Sequence, residues 1–325
     1  MKKILVTGGA GFIGSALVQI LADSNYEIII LDKMGYASNS KFAENMCSRL
    51  SNVSLIVGDI SERPLLRELL HDKGIDSIIH LAAESHVDNS IASPKPFVDS
   101  NIIGTYNILE SIRELKQTTG RSVRLIHVST DEVYGDLDLN KSPFTELSPY
   151  RPSSPYAATK AAADHLVKSW SRTYGIDAIV TNCSNNFGPR QHREKLIPKL
   201  ILNAIAGKNL PLYGNGLQIR DWLYVTDHCD GLIRVLEGGV SGSTYNIGGK
   251  CECTNLSIAN RVMFEVSLQT AKPCTSIIEY IADRPGHDKR YAINANKISR
   301  ELGWKRVTKF NKSIENTVSW YINNN

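Results

Sequence analysis

The strongest constraint on this chain lies in its first fourteen residues. A short apolar, β-rich run, Lys2–Thr7, passes into Gly8-Gly9-Ala10-Gly11-Phe12-Ile13-Gly14 and then into the helical spacing Ala16, Leu17, Ile20, Leu21. Strand, glycine turn and helix in that order make the dinucleotide-binding arrangement. Gly8 permits a tight turn, Gly11 lets the backbone approach a pyrophosphate, and Gly14 lets the helix pack closely on the strand. The helix start then offers free N–H groups and a positive dipole end to the pyrophosphate. The spacing is G-x-x-G-x-x-G, one residue longer at the front than the usual fingerprint, and a glycine triplet alone is often only a turn. A second observation supports the reading. The next apolar run, Glu27–Leu31, ends at Asp32, eighteen residues beyond Gly14. A carboxylate there accepts from both adenosine ribose hydroxyls and repels a 2′-phosphate, which favours NAD over NADP.

Apolar runs and helical patterns keep alternating through Val53–Val57, Leu65–Leu70, Ser77–Leu81, Ile102–Leu115, Arg124–Val128, a helix from Tyr156, and Asp177–Thr181. Alternation of this kind predicts an α/β fold, a Rossmann-type doubly wound parallel sheet covered on both faces. Ligands of such sheets sit beyond the carboxyl ends of the strands, which singles out Asp59-Ile60, Leu81-Ala82-Ala83 and Ser129–Glu132. Asp59 and Ile60 are placed to flank an adenine, and Ala82 and Ala83 are small enough for a cofactor to pass. Beyond residue 183 come loops rich in Gly, Pro and Asn, with helices at Lys195–Ala206, Asp227–Leu236, Ile258–Leu268 and Ser313–Ile322. The expected division is an NAD-binding domain over 1–182 and a smaller, mixed substrate-binding lobe over 183–325, with a segment near 222–250 returning to the first domain.

Composition narrows the function classes. The chain has 325 residues, 42% of them apolar, enough to bury a full core. A net charge of +4 with no concentrated run of Lys or Arg argues against nucleic acid and an anionic membrane surface, and leaves room for a small anion. No apolar stretch approaches the roughly 20 residues that span a bilayer. Thr7-Gly8-Gly9 also interrupts the first apolar run too early for an export signal. The six cysteines are scattered singly except for Cys251 and Cys253, and no further ligands at a fixed spacing accompany that pair. Reduced thiols, no metal and a cytoplasmic location are the expectation.

The chemistry concentrates between residues 128 and 160. Asp131 and Glu132 follow the apolar run ending at Val128, and Tyr156 and Lys160 stand one helical turn apart behind Ser154-Pro155, a helix start. Lys160 in this reading lowers the Tyr156 pKa, and the tyrosinate removes a proton from a sugar hydroxyl. An isolated Y-x-x-x-K is more often a surface pair. Here it follows a nucleotide-binding half and Ser129-Thr130.

Nine stretches together resemble the dTDP-glucose 4,6-dehydratases, a family of the extended short-chain dehydrogenase/reductases. They are T-G-G-A-G-F-I-G (7–14), H-L-A-A-E-S-H-V-D (80–88), S-T-D-E-V-Y-G (129–135), Y-A-A-T-K (156–160), N-C-S-N-N-F-G-P (182–189), E-K-L-I-P (194–198), Q-I-R-D-W-L-Y-V (218–225), Y-N-I-G-G (245–249) and D-R-P-G-H-D (283–288). The first and fourth are shared across the superfamily. Asp131-Glu132 and the 218–225 and 283–288 stretches speak to the substrate.

The resemblance implies an NAD-dependent lyase acting on a nucleoside-diphosphate glucose, and a homodimer formed through the helices around Ile102–Leu115 and Tyr156–Ser169. It assigns Tyr156 as the base at C4, Thr130 as partner of the C4 oxygen, Glu132 as the C5 base and Asp131 as the acid for the C6 hydroxyl. It places Phe12, Ile13, Lys33, Ser100, Asn186, Tyr156 and Lys160 at the cofactor with the residues already named. The sugar nucleotide falls to Ser85, Thr130, Asn185, Lys195, Leu196, Pro211, Tyr213, Arg220, Asn255, Arg284 and His287. Arg220 and Arg284 have the clearest physical case, since a diphosphate needs fixed bidentate donors.

The sequence departs from the family pattern in three places. Gly35 stands where a hydroxyl residue is usual near the cofactor, Phe187 replaces a tyrosine, and Arg190–Arg193 is unusually basic. Adjacent residues of a strand also point to opposite faces, so Asp131 and Glu132 reach one sugar only if the strand has ended before them. A nucleotide-sugar 4-epimerase needs Tyr156 and Lys160 but not the two acids, and a UDP-glucose 4,6-dehydratase would differ only in the base it reads. A silent NAD-binding scaffold would be expected to lack a member of the catalytic set.

Overall fold

In the computed structural model, which describes residues 2–324, twelve strands are assigned: β1 (Lys2–Thr7), β2 (Tyr26–Asp32), β3 (Val53–Val57), β4 (Ser77–His80), β5 (Arg124–Thr130), β6 (Ala178–Cys183), β7 (Asn185–Phe187), β8 (Leu210–Tyr213), β9 (Ile219–Tyr224), β10 (Thr244–Ile247), β11 (Glu252–Thr254) and β12 (Ile278–Ile281). Seven form one sheet in the order β10-β6-β5-β4-β1-β2-β3. Every neighbouring pair in it is parallel. Its strands read as continuous apolar runs because both faces are covered. Ile28, Ile29, Ile30 and Leu31 are all buried, each worth about 1.5–3 kcal/mol relative to exposure. One face packs under the helices Phe12–Ala22 and Val225–Gly238, and the other under Arg63–Asp72, Gly104–Thr119 and Pro155–Tyr174.

Two smaller sheets, β11-β9-β7 and β12-β8, pack with the helices Leu196–Ile205, Asn255–Thr270 and Phe310–Asn323 around Phe187, Ile201, Trp222, Val262 and Ile314. Phe187 is thus a core residue, edge-on to Trp222 and Phe310. After β9 the chain forms the helix Val225–Gly238 against the first core and then contributes β10 as the edge strand beside β6.

Several boundaries differ from the sequence expectation. β5 and β6 run two residues further, to Thr130 and Cys183, because the polar side chains at their ends find buried partners: Ser129 donates to Asp164 and Asn182 to the Thr130 carbonyl. β4 stops at His80, and the helix expected at Ile102–Leu115 runs over Gly104–Thr119, entered through a π-helical turn at Val98–Ile103.

Candidate active site

The carboxyl ends of β1, β2, β4, β5 and β6 open onto one cleft. At its floor Gly8 has φ +69°, and a Cβ there would lie 2.7 Å from the Ala82 nitrogen, so the turn after β1 and the loop after β4 meet at a distance only glycine allows. A Cβ on Gly14 would meet the Gly8 carbonyl oxygen at 2.2 Å, whereas one on Gly11 would meet nothing nearer than 3.2 Å. Gly14 therefore serves helix-on-strand packing, and Gly11 keeps the cleft side clear. Gly11 caps the helix Phe12–Ala22 without a side-chain bond, leaving its first N–H groups facing the cleft. Asp32 accepts from the Ala10 and Met34 amides at 3.0 and 2.9 Å and from the Ser38 hydroxyl at 2.7 Å. A hydroxyl absent at Gly35 thus reappears three residues later. Lys33 pairs with Glu84 at 2.7 Å.

The acids follow a break in the backbone. β5 ends at Thr130, and Asp131–Tyr134 turn into a single 3₁₀ helix capped by the Thr130 hydroxyl, which accepts from the Glu132 amide at 3.3 Å. Alternation has ceased there, and both carboxyls line the same cleft. Their surroundings differ. Burial pushes the Asp131 carboxyl well above the usual range, and the negative charges of Glu132 and Asp221 push it further. Burial also raises Glu132, but Arg284, Arg220 and Lys195 oppose it. Neighbouring acids are held apart in acidity, Asp131 the more firmly protonated.

Ser154 caps the helix Pro155–Tyr174, accepting from the Ala157 amide at 3.1 Å, and this starts Tyr156 and Lys160 on one face. The Lys160 ammonium donates to the Val128 carbonyl at 2.9 Å. The expected lowering of the Tyr156 pKa by Lys160 is not what the structure gives. Burial raises that phenol well above its ordinary value, with the charge of Glu132 adding to it, and Thr130 is the neighbour that opposes them. Burial outweighs the lysine because Lys160 is itself spent on a backbone carbonyl and desolvated.

Of the other expected residues, Phe12, Ile13, Asp59, Ile60, Leu81, Ala82, Ala83, Ser85, Ser100, Asn185, Asn186 and Lys195 line this cleft. Leu196, Pro211, Tyr213, Arg220, Asn255, Arg284 and His287 do not form its walls. Several of these gather near β8 and the loop after β12. Tyr213 donates to Asp88 at 3.0 Å, Arg284 lies 3.4 Å from the same carboxylate, and the His287 ring packs edge-on against Tyr213. Arg220 is buried, donates to the carbonyls of Ile219 and Asp288, and stacks over Tyr291 at 4.3 Å. Leu196 opens a helix of the second core, and Pro211 lies in β8 opposite Glu279.

The sequence reading missed Tyr36, Ser38, Glu84, Cys183, Ser184, Gln191, His192 and Glu194, which line the cleft too, beside Ser129 at the strand end it singled out. Tyr36 donates to Glu194 at 3.2 Å and meets the His192 ring edge-on, tying the loop after β2 to the loop before Leu196. The run of polar residues at 190–195 was the available signal, since a solvated loop of that length beside a strand end is a common place for ligand contacts.

A sequence profile described as GDP-mannose 4,6 dehydratase matches residues 5–317. A dTDP-glucose 4,6-dehydratase of Neisseria gonorrhoeae is 47% identical over 99% of this chain and 96% of its own length. The chain belongs to the dTDP-glucose 4,6-dehydratase family. Its fold is that of a solved dTDP-glucose 4,6-dehydratase from Streptomyces venezuelae with NAD bound, at TM-score 0.91, 41% identity and coverage of 99% and 97% of the two chains. A UDP-glucuronic acid 4-epimerase from Bacillus cereus, solved with NAD, is more distant at 28% identity and TM-score 0.88, covering 99% and 100%.

The residues of this member fit a dinucleotide and a sugar beside it. The glycine cradle, the uncapped helix start and the Asp32 carboxylate stand in the order a dinucleotide requires. Among the described residues, Asp131 Oδ2 and Asn185 Oδ1 are buried in the cleft wall with no hydrogen-bond partner, and atoms so placed are set to meet a ligand. Gly14→Ala is expected to lose about 1–3 kcal/mol or more to the clash with the Gly8 carbonyl, and to purify without NAD. Thermal unfolding and the NAD content of the purified protein measure both; wild-type values in both remove the packing role.

Proposed function

We propose that this chain is an NAD-dependent hydro-lyase that converts dTDP-glucose to its 4-keto-6-deoxy sugar, a precursor of rhamnose-type deoxysugars. The observation that carries the reading is the carboxyl pair at the end of β5, two adjacent acids facing one cleft with unequal proton affinity. NAD held at the Gly8–Gly14 turn and Asp32 would supply the hydride acceptor for C4 and the hydride that C6 receives. Tyr156 takes the C4 hydroxyl proton, and Thr130 holds that oxygen. Oxidation at C4 makes the C5 proton acidic. Glu132, kept the less protonated acid by Arg284, Arg220 and Lys195, removes it. Asp131, held protonated by burial, donates to the departing C6 hydroxyl.

Ser85, Asn185 and Lys195 hold the sugar end in this reading. Arg220, Arg284, Tyr213, His287, Asn255, Pro211 and Leu196 form the nucleotide-diphosphate end. Support for the arginines is the cationic field they set up at Glu132. The two acids have no task in a 4-epimerase.

A homodimer is proposed through Gly104–Thr119 and Pro155–Tyr174. Its support is the aromatic face they share, where Tyr106 packs on Trp170, Trp170 on Tyr174, and Tyr106 and Tyr174 remain exposed. A cytoplasmic location is proposed from the enzyme class; no helix among the described residues is long and apolar enough to cross a membrane.

Incubation of the purified protein with dTDP-glucose, UDP-glucose and GDP-mannose in separate reactions tests the assignment. Conversion of dTDP-glucose in preference to the other two is expected. Epimerisation without loss of water, or preference for another nucleotide, overturns it.

A further inference from the structure

Beneath the reacting groups lies a buried polar layer that no step above uses. Asp164 is its centre, at 0% exposure, one helical turn beyond Lys160, so that Tyr156, Lys160 and Asp164 share one face of the helix Pro155–Tyr174. One carboxylate oxygen accepts from the Ser129 hydroxyl at 2.9 Å and from the Asn182 amide at 3.4 Å, and that amide also donates to the Thr130 carbonyl at 3.1 Å. The other lies 3.2 Å from His127 Nε2. A buried carboxylate is unfavourable unless it is paired and hydrogen-bonded. Burial opposes the charge of Asp164, but His127, Lys160 and the Ser129 hydroxyl outweigh it and keep the carboxyl below its usual range.

The groups facing Asp164 are few. From its own helix come Lys160 and Lys168; from β5, His127, whose ring packs against His80 on β4; from the loop before the helix, Tyr150; and from the 3₁₀ turn, Tyr134. Burial holds both histidines toward their neutral forms and both tyrosines toward their protonated forms. Lys160 and Lys168 are therefore the lasting positive charges beside it. Burial pulls the Lys160 pKa down, and Asp164 is the principal charge that resists.

We propose that Asp164 is a positioning residue for the dehydration, acting from below the cleft. Its carboxylate fixes the end of β5 that presents Thr130, Asp131 and Glu132, and, one helical turn along the same face, sets a negative charge toward the Lys160 ammonium. The inference rests on the reaction proposed above. It assigns to a residue that touches neither substrate nor cofactor a share in both halves of the catalytic set.

Asp164→Asn keeps the shape and removes the charge. In turnover of dTDP-glucose it is expected to lower kcat about tenfold or more with KM unchanged, and to move the alkaline limb of kcat/KM toward lower pH by about one unit, since Lys160 then loses its proton more easily. NMR titration of isotope-labelled lysine is expected to show the same downward shift for Lys160 with no substrate present. Asp164→Glu, which retains the charge, is expected to leave that limb in place. A wild-type limb and a wild-type Lys160 titration in Asp164→Asn overturn the proposal. If Asp164→Asn fails to fold, by thermal unfolding and NAD content, Ser129→Ala decides. A lower kcat with unchanged KM and pH limb is expected, and an unchanged kcat overturns the anchoring role. Absence of dTDP-glucose turnover in the wild type strikes the proposed reaction alone, because the lysine titration still tests the charge pairing.

Discussion

Glu132→Gln is expected to lower turnover of dTDP-glucose by about 10²–10⁴-fold, the usual contribution of a general base, while NAD stays bound. The side chain keeps its shape and its place at the turn after Thr130, so the loss isolates proton removal. The decisive readout is exchange of the C5 proton with solvent deuterium, expected to vanish. Reduced-nicotinamide absorbance still appears on adding substrate, because oxidation at C4 precedes the missing step. Normal exchange in this variant removes Glu132 from the base role and leaves Asp131, which burial holds in its protonated form.

Tyr156→Phe is expected to cost a similar factor at an earlier point. Neither the reduced-nicotinamide absorbance nor C5 exchange should appear, since no ketone forms to acidify the C5 proton. The pH dependence has a definite sign. The phenol is held above its ordinary pKa by burial first and by Glu132 next, so its base form grows with rising pH, and C4 oxidation in the wild type is expected to quicken from neutral into alkaline solution. Absorbance growth at wild-type rates in Tyr156→Phe shows that another group takes the C4 proton. Together the two variants divide the reaction: Tyr156→Phe stops before oxidation and Glu132→Gln after it.

What the sequence made legible was local. Gly14 answers to a distance set six residues back, at the Gly8 carbonyl, and the positive φ of Gly8 answers to the turn it makes, although the approach of Ala82 to Gly8 comes from a distant stretch. The helix start at Ser154-Pro155 is likewise written in adjacent residues. The break after Thr130 was only half legible, because Ser129 and Thr130 extend a strand when buried partners meet their hydroxyls, and Asp164 lies 35 residues away in sequence from Ser129. The Tyr156 environment was misjudged for a related reason. An i, i+4 spacing reports which residues share a face but not how dry that face is, nor that the lysine is claimed by a strand carbonyl. Arg220 sits opposite Cys253 in a ladder between β9 and β11, and its stacking on Tyr291 depends on a third stretch again. Nothing near Arg220 in sequence announces either.

The strand β10 has a consequence for how such enzymes diversify. The chain leaves the large sheet at Cys183 and re-enters it at Thr244, beside the strand it left. Between these two fixed points it builds the segment that carries Lys195, Tyr213 and Arg220. New sugars and new bases can therefore be tried by remodelling residues 184–224, while the helix Val225–Gly238 stays packed on the first core and returns the chain to β10 beside β6.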